Sequence, residues 1–187
     1  MEFLVDFWLP IFATTTALWI SSTVAWMLLP HHFGDRRKIQ CEDELMKFVG
    51  DKNIAAGNYM FPYPEKASDM NKPEHMERYQ KGPRGTLNVY DEASMPANIG
   101  LTILYFAVTV TTIAYITNLT CQPSDTSTNF MRVFRVAGTI GILTYASNSV
   151  LNRIWFRQRV WTDIVDGIAY GLLVGVIFAS LWKYPVA

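Results

Sequence analysis

The sequence predicts an all-α integral membrane protein: four transmembrane helices, with a polar cytoplasmic insert between the first and second. Three observations predict it. Apolar stretches within residues 7–29, 99–119, 131–153 and 163–183 approach the roughly 20 residues that a helix needs to cross a bilayer. Basic side chains are segregated, with ten of the sixteen Lys and Arg inside residues 30–98. Trp8, Trp26, Trp155, Trp161 and Trp182 stand near the ends of apolar stretches, where an interfacial aromatic belt belongs; Trp19 falls nearer mid-membrane. Mean hydropathy is only +0.13 because residues 30–98 are polar.

The first stretch, 7–29, is apolar throughout. Pro10 is expected in its first turn, where a missing N–H costs little. Its apolar run is too long for a cleaved leader, and neither a basic start nor a small-residue cleavage site accompanies it. The amino end, MEFLVD, carries two acids and no basic side chain, whereas Arg36, Arg37 and Lys38 follow the stretch directly. The positive-inside rule therefore places both termini outside, and the insert and the Arg153–Arg157–Arg159 segment inside, as in a bacterial inner membrane. Arg132 and Arg135 oppose this bias from the outer side.

Within the insert, 30–98, a helix is expected from Cys41 to Val49, its amino end favoured by Glu42, Asp43 and Glu44 and its stop by Gly50. A second runs from Pro73 to Lys81, with proline at the first helical position and Gly82-Pro83 ending it. Pro62 and Pro64 force an extended path between them, carrying Tyr59, Phe61 and Tyr63 toward the bundle or the headgroup layer. Residues 85–90 suit a strand, but no partner is evident. The insert is too small to bury an independent core well, which predicts a cap folded on the membrane domain or on a neighbouring subunit.

The second stretch, 99–119, carries Thr102, Tyr105, Thr109 and Thr112 on one stripe. The third, 131–153, is the most polar, with Thr144, Asn148 and Asn152 at four-residue spacing. Such stripes line a polar pathway or hydrogen-bond between helices; packing is the commoner use. Asn118-Leu119-Thr120 matches a glycosylation triplet at the edge of a span. In the fourth, 163–183, Gly167, Gly171, Gly175 and Ala179 recur every four residues, which places them on one helix face. A row of small residues lets two membrane helices approach closely, so these four are the expected helix-packing interface.

The candidates for chemistry are few. His31-His32 follow the first span, and His75 and Cys41 lie further along the insert. Adjacent histidines on a helix point about 100° apart, so interfacial histidines are favoured over a metal site, and nothing in the spacing resembles a zinc module. Asp163 and Asp166 open the last span, where the simplest partners are Arg153, Arg157 or Arg159. Cys41 and Cys121 fall on opposite sides of the membrane, which excludes a disulfide between them. The chain has no phosphate-binding glycine loop, nucleophile elbow or HExxH, and its zero net charge disfavours nucleic acid. No pattern specifies a catalytic residue, a cofactor or a metal.

The run His32–Lys38 with Glu42-Asp43, the segments 57–62 and 81–85, and the motifs 134–139 and 166–171 together resemble a family of small bacterial inner-membrane proteins with no established activity. The resemblance covers most of the chain from residue 31 onward and implies a bacterial membrane origin and four spans. It carries no activity. The expected function is a non-catalytic accessory subunit of a larger inner-membrane assembly, such as an energy-converting complex, with the bilayer and other membrane subunits as partners. A small transporter or channel is the alternative, with Asp163 and Asp166 at its mouth. A metalloprotein using His31, His32 and His75 is third.

Overall fold

The computed structural model describes residues 2–92, 94–122 and 124–184, apart from the side chains of Glu2 and Asn148. It is 72% helical, and three of its helical segments are long and apolar enough to cross a membrane. The chain forms two units, Met1–Arg36 with Met95–Ala187, and Arg37–Ser94.

In the first unit, α1 spans Glu2–Thr23 and continues through a wider π-turn at Val24–Leu28, closed by the Leu29 amide donating to the Val24 carbonyl at 3.0 Å. The helix starts earlier than expected. Pro10 therefore lies buried inside it, not in its first turn, and leaves the Asp6 carbonyl without its helical donor. Leu29 is extended, as a residue before proline prefers, and Pro30–Gly34 then forms a tight 3-10 turn. Next in this unit come α4 (Met95–Thr120), α5 (Phe130–Phe156) and α6 (Trp161–Leu181).

The α1 segment, α4 and α6 are the three apolar helices. The stretch predicted at 131–153 is helical and long, but α5 is too polar to join them by composition. Its first turn is capped by the Asn129 side chain, which accepts from the Arg132 amide at 3.0 Å. Arg157, in the left-handed conformation with φ 56°, turns the chain toward α6.

The α5–α6 pair is the most extensive contact; α1 packs on α4 and α6, and α4 also meets α5. The glycine row explains the first. Gly167, Gly171, Gly175 and Ala179 are all buried. A methyl group at Gly167 would stand 2.7 Å from Ala146 Cα, one at Gly175 2.9 Å from the Phe134 carbonyl oxygen, and one at Gly171 would strike the Ile142 backbone. Gly138 and Gly141 of α5 answer from the other side: a methyl at Gly141 would lie 2.9 Å from Gly171 Cα. The row is thus occupied by a helix of the same chain.

Trp182 departs from the interfacial belt. It is 4% exposed, stacks on Phe7 at 4.3 Å, and donates its indole N–H to the Cys121 carbonyl at 3.0 Å. It pins the end of α6 to α1 and to the end of α4. Trp8, Trp26, Trp155 and Trp161 are exposed. The hydroxyl stripes turn inward on their own helices: Thr102 donates to Asn98, Thr112 to Val108 and Thr144 to Ile140, each to the carbonyl four residues back. Thr109 alone of these also crosses to α5, at 2.9 Å from the Tyr145 hydroxyl.

In the second unit, α2 (Glu42–Asp51) and α3 (Pro73–Lys81) form near their expected positions. The strand expected at 85–90 has a partner after all. β1 (Gly57–Phe61) and β2 (Gly85–Val89) pair antiparallel, with Tyr59 opposite Leu87. The chain is therefore not wholly α. The partner was hidden because residues 57–61 are short and flanked by proline, so period-2 patterning is weak there. Neither helix of this unit has a buried residue, and Tyr59, Phe61, Tyr63 and Tyr90 are exposed.

Candidate metal centre

Two histidines and a carboxylate from opposite ends of the first unit meet at one point. His31 and His32 sit in the 3-10 turn after α1, and Asp166 stands in the second turn of α6. His31 Nε2 lies 3.0 Å from Asp166 Oδ1, and His32 Nε2 lies 3.0 Å from Asp166 Oδ2. All three donor atoms lie within 4.8 Å of one another.

The local chain explains how neighbouring histidines converge. The π-turn and extended Leu29 redirect the chain, and the 3-10 turn brings the rings to 4.2 Å between centroids. The imidazoles do not need to point the same way. The acid comes from another helix and stands between their Nε2 atoms.

The surroundings fix the His32 ring. Trp26 stacks on it at 3.9 Å and 8° between planes. Its Nδ1 lies 2.6 Å from Asp35 Oδ2. That same oxygen accepts from the Thr162 hydroxyl at 2.7 Å, and Asp35 Oδ1 lies 3.6 Å from Arg159 Nε. Arg159 also donates to the Gly34 carbonyl at 3.1 Å, which ties the turn to the start of α6. Tyr170 donates a long bond, 3.5 Å, to Asp166 Oδ2.

The proton count is informative. Each ring nitrogen of His32 faces a carboxylate oxygen, Asp35 Oδ2 or Asp166 Oδ2, and ionised carboxylates only accept. Two arrangements satisfy this: an imidazolium, or an Nδ1–H donated to Asp35 with a cation on Nε2. Burial opposes the charge on His32, but Asp166 and Asp35 outweigh it and hold its pKa above the ordinary histidine value. Burial likewise opposes ionisation of Asp35, and the Thr162 hydroxyl, His32 and Arg159 overcome it, so its pKa lies below the usual carboxylate range.

The expected partners of the α6 acids change accordingly. Asp166 takes histidines, not an arginine. Arg159 turns to Asp35, while Arg153 donates to the Arg157 and Gln158 carbonyls. Asp163 has no hydrogen-bond or ion-pair partner among the described residues. His75 lies on α3 and Cys41 just before α2, both in the second unit, and neither belongs to the cluster. Asp35 and Thr162 were not singled out from the sequence, which marks Trp26 only as part of an interfacial belt. Asp35 was within reach of such reading, three residues after His32, but Thr162 and Trp26 carry no local signal. No protein-family model, curated protein or solved structure matches the chain.

Proposed function

We propose that this chain is a multi-pass membrane protein that binds a divalent transition-metal ion at the membrane boundary, through His31 Nε2, His32 Nε2 and an Asp166 oxygen. The observation that carries this reading is the convergence of those three donors with a completed outer layer. Metal-bound histidine typically donates its other N–H to a carboxylate, and Asp35 already stands on His32 Nδ1. Imidazole and carboxylate donors suit a zinc-like ion with bonds of about 2.0–2.1 Å, and the three donor atoms lie within 4.8 Å of one another. Three protein ligands leave a coordination position open for water or a passing ligand, as in sites that exchange or activate what they bind.

The test is titration of the metal-stripped, full-length chain in detergent with Co2+, read by its visible absorption and by calorimetry. One equivalent should bind to the native chain, and His31→Ala and Asp166→Asn should each abolish it. Failure of the native chain to bind more Co2+ than these variants would overturn the reading.

The topology proposed with it is four crossings in a bacterial inner membrane, α5 crossing against α6, both termini outside and the Arg37–Ser94 unit inside. An accessory role in a larger assembly keeps one supporting observation, the exposed aromatic side chains of that second unit, which lacks a core of its own. The glycine row gives it no support, since α5 occupies that face. Purification from native membranes in mild detergent tests this role; a chain migrating alone would end it.

A further inference from the structure

Beside the histidines, among α1, α4, α5 and α6, lies a cavity of about 500 Å³. That is within the range of small-molecule sites. Its walls are rich in aromatic side chains, with Trp19 and Trp26 from α1 and its π-turn, Tyr105 from α4 and Tyr170 from α6. Asp163 and Asp166 both reach its surface, and none of the residues lining it is Lys, Arg or His. Asp166 is engaged by the two histidines; Asp163 faces the cavity with no partner among the described residues.

A carboxylate beside apolar walls is unfavourable without a counter-charge. Aromatic faces attract cations through their negative π-clouds, most strongly where water is scarce. Anions are repelled by two acids and meet no basic group on the cavity lining. A small inorganic cation would satisfy Asp163 but leave most of this volume and its rings unused. We propose that the cavity binds an amphiphilic organic cation: its charge against Asp163 and the aromatic faces, its apolar body filling the space between the helices. Asp166 borders both sites, but the charge partner assigned to the cation, Asp163, is not a metal ligand.

The probe is tetraphenylphosphonium, measured by quenching of tryptophan emission and by equilibrium binding to the purified full-length chain. Triphenylphosphine oxide serves as an uncharged competitor of similar shape. Saturable binding is expected, weakened by about tenfold or more in Asp163→Asn and kept within about threefold in Asp163→Glu. The oxide should not compete, and His31→Ala should retain the probe while losing Co2+. Retention of the probe with loss of Co2+ separates the two sites, whereas equal loss of the probe in His31→Ala and Asp163→Asn would overturn this one. Unaltered affinity in Asp163→Asn, effective competition by the oxide, or absence of saturable binding would each overturn it as well.

Discussion

At the scale of single residues, Asp35 shows how an uncoordinated side chain governs a site. It touches no other candidate ligand, yet it orients His32 through Nδ1 at 2.6 Å and is itself held by Thr162. Asp35→Asn keeps the shape and removes the charge. By the behaviour of outer-layer carboxylates, Co2+ affinity should fall about 10-fold to 100-fold, while the fold stays native by circular dichroism. An unchanged affinity would mean that His32 is oriented by Trp26 alone. Asp125 carries a different consequence. Its carboxylate accepts from the Ser127 amide and hydroxyl and pairs with Arg132 at 3.0 Å, and these hold its pKa below the usual 3.8. The sign follows: a depressed carboxylate stabilises the fold above its unfolded value, and the contribution is lost as pH falls through the lower folded value. The difference in melting temperature between the native chain and Asp125→Asn should therefore be present at pH 5 to 7, begin to shrink as pH falls below 3.8, and vanish once pH is below the depressed folded value. A difference that persists undiminished in strong acid would refute this.

At the scale of elements, α5 and α6 are joined by backbone proximity. If α5 crosses the bilayer as proposed, lipid leaves no hydrophobic gain to recover and close packing carries the association. Gly171 is the tightest point, with the Ile142 backbone where a Cβ would stand. Backbone cannot yield as a side-chain tip can. Gly171→Ala should destabilise the isolated chain by about 1–3 kcal/mol, measured by unfolding in mixed micelles. Gly100→Ala is the control. Nothing lies within 4 Å of its added methyl, and alanine is the better helix former, so it should be neutral or stabilising. If both changes are neutral, the helices are farther apart than the glycine row implies. Gly171→Leu belongs to the same argument, and its damage should appear in the chain alone, without any partner.

At the scale of the whole molecule, the proposed topology has a direct readout in thiol chemistry. Cys41 is exposed and Cys121 is buried, and both are free. Cys121, lying under Trp182, is a silent reporter. Ser124, exposed in the loop before α5, supplies the outer position instead. In intact spheroplasts a membrane-impermeant maleimide should label Ser124→Cys and should reach Cys41 only after lysis. Labelling of Cys41 in intact cells would invert the topology. The second unit adds to the whole-molecule picture, because its small sheet and two short helices bury almost nothing by themselves. Its exposed aromatic residues are what the proposed docking on lipid headgroups or another subunit would cover.

The sequence by itself determined the helical character, the apolar segments, the small-residue row and the two short helices of the insert, because each is written in local periodicity and capping residues. It also marked His31, His32, Asp163 and Asp166 as the residues worth weighing. Tertiary structure alone decided what they meet. Asp166 lies 134 residues from His32, and no local pattern distinguishes an acid that pairs with a nearby arginine from one that pairs with a distant histidine. The pairing of β1 with β2, the burial of Trp182 and the occupation of the glycine row by α5 share that cause. Each is a choice between partners of similar chemistry, and the choice is made by which segments the fold brings together.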